Sequence, residues 1–227
     1  MRNMITIDGP AASGKSTVGK ELARRLGWRY LDSGAFYRAL AWKALREEVP
    51  LNKPEALSEL AKKTRINLSS STEGLRIFVD GHDVTQAIRE ECVSEAASIL
   101  AALPEVRRVM LGLQQEFAAR GKVVAEGRDM GTVVFPDARF KFFLDAELEE
   151  RARRRHRELI SRGKRASLEK VKAELTERDQ RDSTRDVAPL GPAEDALYVD
   201  STHLGVGEVV DLLLHKLKCI EASQNNK

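Results

Sequence analysis

Cysteine is scarce in this chain. Cys92 and Cys219 are the two in 227 residues, far apart and without metal-ligand spacing. Such a pair supplies neither a disulfide framework nor a metal cage, and it fits a reducing compartment. No run approaches the roughly 20 apolar residues of a membrane helix, and the opening MRNMITIDG lacks the apolar stretch of a secretory signal. A cytoplasmic location without a membrane partner is expected. An excess of one charge is missing too, since 38 Lys and Arg against 35 Asp and Glu leave +3, too little to argue for nucleic acid. Internal repeats and low-complexity tracts are likewise absent, and the length suits one well-buried α/β core with excursions.

What is present is an alternation of strand and helix patterns. Met4 to Ile7 is an apolar run that meets a Gly-Pro turn, followed by a helical pattern ending at Gly27. Trp28 to Asp32 reads as a second strand, and Ser33 is expected to cap the helix carrying Phe36, Tyr37, Leu40, Ala41 and Ala44. Between Pro50 and Arg89 the runs Ile66 to Leu68 and Leu75 to Val79, separated by Glu73-Gly74, predict a small antiparallel insertion. Helices then follow over Val93 to Leu103 and from Pro104 towards Gly121, with strands at Lys122 to Glu126 and Arg139 to Leu144. An Arg-rich helix pair spans about Glu147 to Asp182, and the strand Ala196 to Asp200 precedes a final amphipathic helix. The fold class expected is α/β, a P-loop NTPase core with a parallel sheet flanked by helices. Segments 1–49, 91–146 and 183–227 form that core, 50–90 the acceptor-side β insertion, and 147–182 a helical lid.

The loop Gly9-Pro10-Ala11-Ala12-Ser13-Gly14-Lys15-Ser16, with Thr17 behind it, fits G-x-x-x-x-G-K-[ST] between a strand and a helix. Its glycines let backbone N–H groups turn inward towards phosphates, and the helix N-terminus adds a favourable dipole. Lys15 can reach the β and γ phosphates and Ser16 can ligate Mg²⁺, so ATP and Mg²⁺ are the expected donor and cofactor. The loop alone does not name a reaction, because GTPases, motor ATPases and small-molecule kinases share it. No D-x-x-G element occurs, Asn52-Lys53-Pro54-Glu55 only imitates N-K-x-D, and no LSGGQ-like signature is found. A kinase is favoured, against a nucleotide-dependent RNA-binding regulator on one side and a UMP or shikimate kinase on the other.

Two further stretches suggest the acceptor. In LDSGAFYRA, Tyr37 and Arg38 project from a helix that starts near the phosphate loop. In EGRDMGTVVFPDA, a strand ends at Glu126, Gly127 permits a tight turn, and Arg128 and Asp129 enter the cleft at the strand carboxyl ends. Arginine can neutralise an acceptor phosphate, and aspartate can accept a hydrogen bond from an exocyclic amine such as cytosine N4.

Together with ERDQRDSTRDVAPL, these stretches resemble the bacterial cytidylate kinase family along nearly the whole chain. The resemblance implies transfer of the ATP γ-phosphate to CMP or dCMP. It implies that Ser33, Arg38 and Arg128 approach the acceptor phosphate, that Tyr37 flanks the nucleotide, and that Ser98, Arg107 and Asp129 read cytosine. It also sets Arg178 and Arg185 near the phosphate and Asp182 at the ribose hydroxyls. With Lys15, the arginines Arg128, Arg178 and Arg185 form the expected catalytic set. Positions 178, 182 and 185 would share one helical face. Asp32 and Glu126 are expected to touch Mg²⁺ through water, Glu126 standing where many relatives carry Asp. Arg151, Arg153, Arg154, Arg155 and Arg157 interleave with glutamates, so some are surface pairs and some fold over ATP. The attacking acceptor oxygen is already anionic, so no protein base is needed, and most of His82, His156, His203 and His215 are expected at the surface. A monomer is expected, since the site is made within one chain.

Overall fold

The computed structural model describes residues 4–71 and 74–225, so Glu73 of the expected hairpin turn lies outside the described residues. Strand β1 (Met4–Asp8) is buried throughout and leads through the Gly9 loop into helix α1 (Lys15–Leu26). Gly27, at φ 65, closes that helix in the left-handed conformation a glycine adopts without penalty. Strand β2 (Arg29–Asp32) then feeds helix α2 (Ser33–Arg46). The cap is Asp32 rather than the expected Ser33. Its carboxylate accepts from Ala35 N at 3.0 Å, and Ser33 is already the first helical residue.

The segment 50–90 contains more than the expected strands. Helix α3 (Pro54–Lys63) opens it, followed by the antiparallel ribbon β3 (Ile66–Ser71), β4 (Gly74–Val79) and β5 (His82–Asp83). Helices α4 (Glu91–Leu100) and α5 (Pro104–Ala118), the latter started by Pro in its first turn, lead to strand β6 (Val123–Gly127). A π-type turn at Met130–Val134 precedes β7 (Phe140–Asp145). The Arg-rich pair α6 (Leu148–Ser161) and α7 (Leu168–Thr184) comes next, then β8 (Leu197–Asp200) and α8 (Val206–Asn225).

The main sheet has the order β2-β6-β1-β7-β8, all parallel, as a sheet covered on both faces by helices should be. Side chains alternate across it: Val124 faces Ile5, Ile7, Val18, Leu22 and Leu213 on one side, while Val123 and Ala125 face Phe36, Leu40, Val93 and Met110 on the other. The register sets Asp8 opposite Gly127 and both Ile7 and Asp32 opposite Glu126. The carboxyl ends of the three adjacent strands β2, β6 and β1 therefore deliver their polar residues to one end of the sheet, where ligands bind in open α/β sheets.

Candidate active site

The phosphate loop depends on its glycines. Gly9 has φ 147, and a Cβ there would lie 2.0 Å from Leu144 O, so no side chain fits; Gly14 has φ 99 at the head of α1. Lys15 is 4% exposed, and its Nζ donates to Pro10 O at 2.5 Å and to Ser13 Oγ at 3.3 Å, which holds the amine inside the loop. Burial, reinforced by the Arg128 and Arg178 charges and opposed by Glu126, lowers its pKa to about 7. Phosphates bound in the loop restore the charged form. ATP binding at about pH 8 should then take up close to one proton, and affinity should weaken as pH rises through 7. Calorimetry in two buffers of different ionisation enthalpy reads that uptake; its absence sinks the linkage.

Ser16 Oγ donates to Glu126 Oε1 at 2.7 Å, and the Tyr30 hydroxyl donates to the same oxygen at 3.0 Å. A hydroxyl beside a carboxylate at the loop exit is a donor set suited to Mg²⁺ and its water shell. Among the described residues no group of three or more His, Cys, Asp or Glu could hold a metal ion. Asp32 stands apart from this pair: one oxygen caps α2 and the other accepts from Arg38 Nη2 at 2.6 Å.

On the acceptor side the chain leaves β6 at Gly127, where a Cβ would meet Ser33 Oγ at 2.5 Å, so the turn runs directly against the start of α2. Arg128 Nε donates to Asp182 Oδ2 at 2.7 Å. Asp129 is paired with Arg107, both under a tenth exposed, and Arg185 Nη2 lies 3.8 Å from its other oxygen. The Arg107 guanidinium lies 6.0 Å from the centre of the Tyr37 ring. Three atoms of cleft-lining residues carry hydrogen-bonding capacity unused among the described residues: Ser98 Oγ, Arg178 Nε and Arg185 Nη2 are buried and without a hydrogen-bond partner. Burial and the Arg128 charge, against the pull of Asp182, lower the Arg178 pKa to about 10. A buried cation in that position calls for an anion. Asp182 is driven up by burial, yet Arg128 and Arg178 overcome this and hold it below the usual carboxylate range. One expectation fails in detail, because α7 ends at Thr184 and Arg185 continues in extended geometry (ψ 142). It reaches the cleft from beyond the helix, not from a shared face with Arg178 and Asp182.

The Arg-rich tract divides by which way α6 turns. Ala152, Leu159, Val171 and Leu175 form a small core between α6 and α7 that also takes in Ala11 of the loop. Arg151 is buried, donates to Ala11 O at 3.1 Å and pairs with Asp179, which itself accepts Ala11 N at 3.2 Å. Arg154 donates to Ser13 O and to Ser201 O, tying α6 to both the loop and the end of β8. Arg155 and Arg157 line the cleft, the first paired with Glu158 and the second 69% exposed and paired with Glu150, whereas Arg153 is 56% exposed, does not line the cleft and pairs with Glu149. Asp8, Asp179 and Ser201 were missed by sequence reasoning; for Ser201 the signal was its place just past a strand end. His203 is exposed as expected but lines the cleft.

Apart from Gly9, Pro10, Arg151 and Arg153, every candidate residue lines one open cleft of about 1020 Å³, with Lys15 and Asp129 in the same space. Along the sequence, the model of the family described as cytidylate kinase matches residues 5–219. The chain belongs to the cytidylate kinase family. It is 51% identical over 216 residues to a cytidylate kinase of Geobacillus sp. (strain WCH70), covering 94% of this chain and 96% of that protein. It is 50% identical to one of Stutzerimonas stutzeri (strain A1501), covering 94% of each. Among solved structures, a gluconokinase from Sinorhizobium meliloti 1021 matches with TM-score 0.50 and 16% identity over 100% of this chain and 99% of that one, a likeness of fold. The family makes the chain a nucleoside monophosphate kinase, and its sheet, phosphate loop and flanking helices are those of the P-loop kinase fold.

Proposed function

We propose that the chain transfers the γ-phosphate of ATP to CMP or dCMP, yielding CDP or dCDP, in the cleft between the Gly9 loop and the Arg128-Asp129 turn. The observation that carries this is the buried Arg107–Asp129 pair opening into the same cleft as Lys15, with the Ser98 hydroxyl beside it lacking a protein partner. That set offers an acceptor for a base amine and donors for a base carbonyl, which is what cytosine presents. Relatives named cytidylate kinase at about half identity support the same acceptor.

In this reading the backbone N–H groups of residues 11–17 hold the donor phosphates and Lys15 follows the β and γ oxygens. Ser16 would ligate Mg²⁺ directly and Glu126 would hold its bound water, and the ion would supply neutralisation of the phosphate charge. Ser33, Arg38, Arg128, Arg178 and Arg185 hold the acceptor phosphate in line, and Asp182 orients Arg128 as well as meeting the ribose. Transfer through a loose transition state needs this alignment and positive charge more than it needs a protein nucleophile, because the acceptor oxygen is anionic already. Arg151 and Arg154 seat the lid of residues 147–182 on a core of 1–49, 91–146 and 183–227, and 50–90 flanks the acceptor. The unit is a cytoplasmic monomer in this proposal, with no nucleic acid or membrane partner; among the described residues no helix is long and apolar enough to cross a membrane. An ADP-release assay with Mg²⁺ across CMP, dCMP, UMP, AMP and GMP should show turnover highest with CMP or dCMP. Turnover no faster with these two than with AMP or GMP, by a folded protein, rejects the assignment.

A further inference from the structure

We infer that Asp8 is a positioning residue for the acceptor turn, tying the backbone that carries Arg128 and Asp129 to the strand that feeds the phosphate loop. The inference rests on the reading of Arg128 and Asp129 as acceptor-binding residues. Asp8 is 3% exposed and does not line the cleft, so it meets neither nucleotide. Its two carboxylate oxygens are both used: Oδ1 accepts Met130 N at 2.8 Å and Oδ2 accepts Gly131 N at 2.7 Å.

The local geometry explains why such a tie is needed. The β1–β6 register ends at Asp8 opposite Gly127, so Arg128 and Asp129 lie just beyond the ladder. Met130 and Gly131 are the next two backbone N–H groups, and Asp8 grips both. The pair of residues that faces the acceptor is thus suspended between a strand end and a single carboxylate. Asp8 itself is well fixed, since Gly9 follows it against Leu144 O with no room for a side chain. From the opposite side the turn is equally close: a Cβ on Gly131 would stand 3.0 Å from Thr6 Oγ1 and 3.4 Å from Asp8 Oδ2.

The chemistry of the residue type supports the role. Gripping two successive N–H donors needs two acceptor oxygens on one short side chain, which aspartate has and asparagine lacks. The choice is unfavourable on other grounds. Burial drives the carboxyl up to about 7, the two N–H bonds and Lys15 pulling it down and Asp129 pushing it further up. A carboxylate kept in that setting is explained by the geometry it imposes on the turn.

The test is Asp8→Asn, which keeps the shape and turns one acceptor into a donor facing an N–H. Steady-state kinetics should show the CMP KM raised about tenfold or more, as expected for a lost hydrogen bond to a charged group, and weaker discrimination against UMP. The ATP KM should stay within about twofold, because the Lys15 hydrogen bonds to Pro10 O and Ser13 Oγ do not involve Asp8 and the Asp8 charge acts on Lys15 less than burial, Arg128, Glu126 and Arg178 do. Gly131→Ala, which crowds the same carboxylate from the turn side, should give the same split and carries the test if Asp8→Asn does not fold. A folded variant with an unchanged CMP KM, or with equal increases for CMP and ATP, overturns the inference. Asp129→Ala, assayed well below its melting temperature, separates the two levels. If it leaves cytosine discrimination intact, the acceptor reading fails and the inference with it; if it abolishes discrimination while folded Asp8→Asn does not weaken it, the inference alone fails.

Discussion

Lys15→Met should lower kcat by ~10³-fold, the scale of removing one positive partner from developing phosphoryl charge, and should raise the melting temperature of the substrate-free protein. The opposite signs have one cause. Lys15 is buried beside Arg128 and Arg178, and its pKa falls from 10.5 to about 7. At neutral pH and below, the folded state holds fewer protons than the unfolded state or holds them at a cost, so the lysine destabilises the empty fold. With the folded pKa depressed, that penalty is complete below pH 7 and vanishes as pH rises towards the unfolded value of 10.5. The shift corresponds to on the order of 5 kcal/mol, and losing the bonds to Pro10 O and Ser13 Oγ returns roughly half of it. A gain of roughly 5 °C at neutral pH is expected for a domain of this size, shrinking to little near the ordinary lysine value. Scanning calorimetry at both ends of that range checks it. A variant less stable than the parent at neutral pH would show that Lys15 braces the loop rather than waiting, strained, for phosphate.

How much of this could be read from the chain alone depends on how local the cause is. The phosphate loop, the alternating strands and the Arg128-Asp129 turn were legible because glycine spacing and apolar runs act over a few residues. Helix α3 carried a signal, with Leu57, Leu60 and Ala61 at helical spacing behind Pro54, but the neighbouring β-like runs outweighed it. Arg185 was set on a helix by extending a spacing past Thr184, where the helix stops. Which arginines of α6 line the cleft was not legible. Arg151 and Arg153 differ in burial because α6 packs one face on Ala11, a contact 140 residues away in sequence from Arg151. Asp8 and Asp179 were missed for the same reason: their partners, Met130 and Ala11, lie 122 and 168 residues distant, and no local pattern marks either. The residues proposed to touch substrate left a pattern in the sequence, whereas those that hold them in place are defined by tertiary contacts.

Asp129→Ala should destabilise the protein by about 3–5 kcal/mol, because it leaves Arg107 buried without its carboxylate and removes the anion facing Arg185. The loss belongs to the stranded charge rather than to the pair's net worth. Adding Arg107→Met to the same chain should therefore recover most of the stability, an interaction that a double-mutant cycle in denaturant would measure. Function should not recover with it. Discrimination of CMP from UMP depends on an acceptor aimed at the base amine, and one such contact is worth about 1–3 kcal/mol, so preference should fall roughly 10- to 100-fold in both variants. ATP affinity, governed by the loop across the cleft, should change little. Were the double variant to regain selectivity along with stability, the Arg107–Asp129 pair would be a piece of internal packing and the acceptor base would have to be read elsewhere in the cleft. If stability returns and selectivity does not, the pair is kept for recognition at a site where an apolar substitute would fold as well.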